Sequence, residues 1–355
     1  TGHVWAIAAI AIGSLLEAAY MFRWLGRSLH ARPDDTIDPV GWRTAAPVAA
    51  TVVLLAVTGA LAAWLAAPGA LWFFAPLAAG GLLALAEAAW SNRLSGRAKA
   101  LLAVGSLPVI GPFLLPEAGS LAYLFGMIFI AGGFVVGLGA LYRSDPRRGY
   151  YPLLAVMLLT LPALAGSRTS LEFFVAWEFI TLSSYFLVAH GRHAGSQTLR
   201  YLLFSLAAAF FLLAGFGQFH AASGGTDLLA LRSVLGAGGA HTTAAFVLIA
   251  IGCLIKAGAI GVHVWVPGTY ALADDDLSAL LSAVISKVAI FGLLTGTYLA
   301  IRSQAGLELA HLLAWIGLAT TLICGMLALF QHDAKRLLAF SSISQIGYIG
   351  AAIAL

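Results

Sequence analysis

Long apolar runs follow one another along the chain, each about 17–25 residues, with short polar or Gly- and Pro-containing turns between them. Twelve segments can be drawn, at 3–25, 45–66, 70–91, 98–117, 120–142, 151–166, 170–190, 198–220, 243–262, 277–301, 309–330 and 337–355. That length suits a helix crossing the apolar core of a bilayer, whereas a barrel strand would alternate over about 10 residues. A backbone in lipid must satisfy its own hydrogen bonds. The pattern therefore predicts an all-α polytopic membrane protein of about 12 transmembrane helices.

The polar positions between the runs give an orientation. With the connections assigned to alternate sides, one side receives Arg23, Arg27, Arg32, Arg43, Arg93, Arg97, Lys99, Arg143, Arg147, Arg148, Arg192, Arg200, Lys335 and Arg336. The other receives Arg168, Arg232 and Arg302. Basic residues accumulate on the cytoplasmic side, so the richer side is expected to face the cytoplasm, with both termini outside. A bacterial inner membrane or an equivalent energy-coupling membrane is the expected location.

Composition supports this. Of 355 residues, 61% are apolar and 10% charged, against about 25% charged in soluble domains. Mean hydropathy is +0.94. These values exclude a soluble enzyme, a nucleic-acid-binding domain and a disordered chain. The net charge of +4 reflects basic loops, and no nucleic-acid partner is expected; the lipid bilayer is. Cys253 and Cys324 lie inside apolar runs with no CxxC pair. No flavin, nicotinamide or iron–sulfur motif is present. No cofactor and no catalytic centre are expected in this chain.

Two basic residues belong to no loop: Lys256 and Lys287 lie within apolar segments. An ionisable group at the bilayer centre costs about 2.5–3.5 kcal/mol on insertion scales, which argues for a use. Glu178 is about two turns inside segment 170–190, while Glu172 suits a helix cap. Lys256 is followed by His263-Val264-Trp265-Val266-Pro267-Gly268, which cannot continue an ideal helix through Pro267. Broken helices bearing ionisable groups recur in transporters. Desolvation disfavours a charged lysine and a nearby carboxylate restores it, so Glu178, Lys256, Lys287 and His263 together form a switchable proton relay. His263 also suits a plain hydrogen-bonding role at a helix end.

Other polar groups are more ambiguous. Asp274-Asp275-Asp276 reads as a solvated turn with Asp276 capping the helix from Leu277, or as a cytoplasmic mouth gathering protons or cations. Asp333 and Lys335 in a basic turn, then Ser341, Ser342, Ser344 and Gln345 in the last helix, suit either packing or a second polar path. Glu17 and Glu87 have no assigned role, and His190 and His193 read as loop residues.

Three stretches together carry a resemblance. Trp177-Glu178 with Leu182-Ser183-Ser184-Tyr185, then Lys256-Ala257-Gly258 with His263-Val264-Trp265-Val266-Pro267, then Asp333-Ala334-Lys335-Arg336-Leu337-Leu338-Ala339-Phe340-Ser341-Ser342-Ile343-Ser344-Gln345-Ile346-Gly347-Tyr348 resemble the signatures of one family. It is the proton-translocating antiporter-like subunits of respiratory complex I, membrane-bound hydrogenases and Mrp-type Na⁺/H⁺ antiporters. The resemblance covers about residues 70–355. It implies that Glu178 modulates the first lysine, Lys256 is the broken-helix lysine, Lys287 the central-axis lysine and His263 the histidine beside the break. Residues 68–150 would hold the first helices of the module, 151–301 a five-helix repeat and 302–355 the start of an inverted second repeat. Residues 1–67 resemble the tail of a preceding module. The chain departs from the family where Ala273-Asp274-Asp275-Asp276 replaces an A-P-x-P turn, and where Ser282 replaces a histidine. The second repeat would continue beyond Leu355.

The resemblance implies proton translocation within a complex I-like machine. Its partners would be other membrane subunits, including further antiporter-like ones, and redox cofactors would sit only on those partners. The alternatives are a Na⁺/H⁺ antiporter subunit, an energising subunit for another solute, or a membrane anchor without transport.

Overall fold

The computed structural model describes residues 74–89, 95–143, 148–190, 195–230, 239–300 and 304–354. The predicted helices 3–25 and 45–66, the module-tail reading of 1–67, Glu17 and His193 fall outside these residues. Every other predicted segment is helical: α1 (Ala75–Ala89), α2 (Gly96–Ile110), α3 (Leu121–Gly137), α4 (Tyr150–Ala165), α5 (Ser170–Ala189) and α6 (Gly195–Ser223). There follow α7 (Ala240–Ala257), α8 (Val266–Leu272), α9 (Asp275–Leu280), α10 (Ser286–Ala300), α11 (Gln304–Leu329) and α12 (Ala334–Ala354). Among the described residues, 7 helical stretches are long and apolar enough to cross a membrane. No strand occurs among them; Thr169 and Asp227 form one isolated bridge.

Helix α4 is the hub. It is apolar all round and buried along almost its whole length, packed against α1, α2, α3 and α5, as a helix without a polar face must be. Glycines bring the other helices close. A Cβ on Gly252 of α7 would stand 2.7 Å from the Ala208 carbonyl of α6. One on Gly317 of α11 would stand 2.7 Å from the Gly347 carbonyl of α12. Small residues let backbones approach where lipid gives no hydrophobic drive. Helix α12 in turn packs on α8 and α10.

The loops sort into two sets. At one end Lys99 pairs with Glu87 at 3.2 Å, and Glu87 also accepts the Gly149 N–H. His190 reaches the Arg148 carbonyl, and Arg143 and Lys335 meet the aspartates of 274–276. At the other end Ser170 and Leu228 N–H groups bond to Thr226 and Arg168 carbonyls, and Gly166 lies against Leu114. This is the partition obtained by alternating the basic loops.

Two boundaries differ from expectation. The break does not wait for Pro267. Helix α7 ends at Ala257, and Gly258 (φ +74°) turns the chain by donating to Ile255 O while Ala259 N–H reaches Leu254 O. Glycine takes this left-handed conformation without a Cβ clash. Pro267 then falls in the first turn of α8, where its missing N–H costs nothing. The next helix starts at Asp275, so Asp274 holds the cap position instead of Asp276. A π turn, Leu281–Ile285, joins α9 to α10.

Candidate functional site

Lys256 occupies the last turn of α7, one residue before the break, and is 3% exposed. Its ammonium donates to three hydroxyls: Thr181 Oγ1 at 3.0 Å, Ser205 Oγ at 3.1 Å and Tyr201 OH at 3.4 Å. Thr181 comes from α5; Tyr201 and Ser205 come from α6. Three donors thus meet three acceptors. The three hydroxyls form a cradle around the ammonium. Glu178 is half-buried three residues before Thr181, which puts both on one face of α5.

The break is built to hold its shape. Trp265 Nε1 donates to Ile255 O at 3.1 Å, and Thr320 of α11 accepts the Ile260 N–H at 3.1 Å. Thr320 satisfies a backbone N–H that the interruption frees, and Trp265 adds a second donor to the Ile255 carbonyl that Gly258 already uses. His263, in the short turn before α8, has a buried Nδ1 without a hydrogen-bond partner among the described residues, and its ring lies 6.1 Å from Phe340 of α12.

Lys287 sits just past the π turn. Ser286 N–H bonds to Leu281 O, so the Ser282 carbonyl is left for side chains. Lys287 Nζ takes it at 2.7 Å and also donates to Ser286 Oγ at 3.1 Å. Such single-turn π interruptions are frequent at functional sites. Ser282 therefore serves Lys287 through its backbone.

A cavity of about 10 Å³ is lined by Lys256 and by Ser286, the serine that Lys287 bonds; it has roughly the room one water needs. Lys256, Tyr201, Ser286 and Ser342 of α12 are among its lining residues. Lys256 and Ser286 thus face one cavity, and Lys287 meets it through its bond to Ser286.

The aspartates sit at the basic end. Arg143 pairs with Asp274 and, at 3.1 Å, with Asp276, which also accepts the Tyr150 hydroxyl at 2.6 Å. The guanidinium lies 3.9 Å over the Tyr150 ring, a cation–π contact. Burial works against the Arg143 charge, but Tyr150, Asp274 and Asp276 more than offset it and hold its proton above the ordinary arginine value. Lys335 pairs with the exposed Asp275 at 2.6 Å and donates to Ala273 O at 2.8 Å. The acidic turn is thus tied by ion pairs to α12 and to the end of α3.

The remaining residues are structural in their contacts. Asp333 caps α12 by accepting the Arg336 N–H at 2.8 Å. Ser344 donates to Thr321 O at 2.9 Å, and Thr321 returns a bond to Ser344 O at 3.1 Å. Gln345 is exposed. Thr181, Tyr201, Ser205 and Ser286 were not legible as site residues. Their one sequence signal is a hydroxyl inside an apolar run, which packing explains equally well.

The sequence profile described as NADH:quinone oxidoreductase/Mrp antiporter, TM, matches residues 167–355. The chain belongs to this family. It is 31% identical over 238 residues to NADH-quinone oxidoreductase subunit N of Desulforudis audaxviator (strain MP104C), covering 62% of this chain and 48% of that protein. With subunit N of Rubrobacter xylanophilus (strain DSM 9941 / JCM 11954 / NBRC 16129 / PRD-1) it shares 32% over 284 residues, covering 73% and 59%. The chain spans about half the length of these curated relatives. In fold it is similar to a chain of the archaeal membrane-bound sulfane sulfur reductase (TM-score 0.70, 20% identity, 81% of this chain and 64% of that one). It is also similar to a chain of the Mrp complex from Dietzia sp. DQ12-45-1b (TM-score 0.70, 24%, 81% and 34%). A chain of Thermus thermophilus respiratory complex I with bound aureothin gives TM-score 0.63, 24% identity, 78% and 64%. The fold class and the antiporter-like family agree with the sequence reading.

Proposed function

We propose that this chain is a proton-translocating module of an NADH-quinone oxidoreductase in a bacterial inner membrane. Protons pass near the bilayer midplane from Lys256 through the cavity to Ser286 and Lys287, with Glu178 setting the charge on the Lys256 side and His263 serving beside the break. Asp274, Asp275 and Asp276 stand at the cytoplasmic mouth, and Asp333, Lys335, Ser344 and Gln345 mark the polar end of the second repeat. Residues 151–301 form the first five-helix repeat and 302–355 begin the second, with further antiporter-like subunits as neighbours.

The observation that carries this reading is the Lys256 ammonium, buried beside a helix break, sharing one cavity with the serine that binds Lys287. An intramembrane lysine of this kind is expensive to place, and its proton has a polar neighbour in line. The test is proton uptake in vesicles holding the assembled complex, for wild type, Lys256→Ala and Glu178→Gln at matched assembly. Loss of uptake in Lys256→Ala, with slowing in Glu178→Gln, supports the relay. Unchanged uptake in both variants overturns it and leaves a membrane anchor. Dependence of uptake on sodium would move the reading to Na⁺/H⁺ exchange.

A further inference from the structure

We propose that Ser184 fixes the direction of the Tyr201 hydroxyl and so holds the Lys256 ammonium in its seat, making Ser184 and Tyr201 positioning residues of the relay. This rests on the proton-relay reading above.

The argument is a count of hydrogens. A lysine ammonium has three N–H donors and no acceptor, and a hydroxyl has one proton and two lone pairs. Each of the three oxygens around Nζ must therefore accept, and must send its own proton elsewhere. For Tyr201 the other partner is Ser184 Oγ. Ser184 is committed in turn, because its hydroxyl donates back along α5 to Ile180 O or Thr181 O. Ser184 thus receives from Tyr201, and Tyr201 receives from Lys256. The chain runs in one direction, away from the lysine. Ser184 and Tyr201 are both fully buried, so bulk water does not compete. The Tyr201 ring packs 5.2 Å from Trp265, which is bonded to the end of α7.

The consequence appears when the proton leaves. An Nζ–H bond breaks and an O–H bond forms on a water in the cavity, leaving a neutral amine with a lone pair. That lone pair needs a donor. Tyr201 supplies one only by leaving Ser184. Ser184 therefore biases the cradle toward the protonated lysine. The Tyr201 contact is the longest of the three at 3.4 Å, and Tyr201 and Lys256 share the cavity wall, so the departing proton is the one on that side.

The other titratable groups on the elements around Lys256 are Glu172, Glu178 and Tyr185 on α5, Arg200 and His220 on α6, His241 and Cys253 on α7, His263 and Tyr270 beside and on α8, Lys287 and Tyr298 on α10, and Glu308, His311 and Cys324 on α11. All are kept in the test, which follows proton transport against pH in vesicles holding the assembled complex. In Ser184→Ala the Tyr201 proton is released to face the amine, and the pH profile moves lower by about one unit. Ser184→Thr keeps the hydroxyl and restores the wild-type profile. Tyr201→Phe removes the acceptor and moves the profile in the same direction, and it carries the test if Ser184→Ala does not assemble. A profile unchanged or moved upward, while Lys256→Ala is inactive, overturns this proposal and leaves the relay standing. Transport retained in Lys256→Ala overturns the relay itself.

Discussion

Gly258 is the residue on which the break turns. Its φ of +74° costs a residue with a Cβ about 1–2 kcal/mol, and that Cβ would lie 2.6 Å from Val266 Cγ2. Gly119 offers a control, since its φ is +87° but no atom lies within 4 Å of an added Cβ. Gly119→Ala is expected to lower the thermal midpoint of the complex slightly, by strain alone. Gly258→Ala is expected to lower it further and to reduce proton uptake, because Val266 opens α8. Equal midpoints for the two variants would show that the contact with Val266 relaxes freely. At this scale the charged members of the candidate site are legible: Glu178, Lys256 and Lys287 stand out because ionisable groups inside apolar runs are rare. The hydroxyls of Thr181, Tyr201 and Ser205 are not, because a neutral hydroxyl is cheap in a membrane helix. Their meaning comes from convergence of α5, α6 and α7 on one ammonium, which no single segment encodes.

At the scale of elements, the acidic turn shows how a loop borrows charge from distant sequence. The turn 274–276 has no basic residue of its own, yet Arg143 from the end of α3 and Lys335 from α12 close on it. The Arg143 and Asp276 side chains are only 11% and 10% exposed. Removing one partner strands a buried charge, at a cost of about 3–5 kcal/mol, while removing both costs far less. Arg143→Ala is therefore expected to destabilise the assembled protein strongly. Adding Asp276→Asn is expected to recover much of that loss, with a coupling of about 0.5–3 kcal/mol in a thermal double-mutant cycle. Additive losses would mean the pair is solvated and holds nothing. Lys335–Asp275 is a weaker tie, since Asp275 is 92% exposed and exposed pairs contribute about 0–1 kcal/mol. Helix existence was legible from the length of the apolar runs; helix ends were not. Pro267 is the louder signal for a break, but Gly258 acts first, because a glycine can close a helix with its own backbone whereas proline at a first turn is merely tolerated.

At the scale of the molecule, the described loops fall into two sets, and the sequence reading assigns the set richer in basic residues to the cytoplasmic side. Glu87, Lys99, Arg143, Gly149, Asp275 and Lys335 are drawn together at one end by their hydrogen bonds and ion pairs. Residues 166–170 and 226–228 are joined at the other. The sequence reading assigns ten crossings to the described part of the chain, of which 7 are long and apolar enough to span, so an error of one would invert half the loops. Labelling decides it. His332 and Glu117 are exposed in turns at opposite ends and make no hydrogen bond through their side chains that a cysteine would break. The native thiols offer little background, since Cys253 and Cys324 are fully buried. In sealed right-side-out vesicles, a membrane-impermeant maleimide is expected to label Glu117→Cys and to spare His332→Cys. In inverted vesicles the pattern reverses. Labelling of both from one side would break the alternation. Inverted labelling would keep the fold but turn the acidic mouth and the Arg143 clamp outward, so that the Lys256 relay would take up its protons from the opposite compartment.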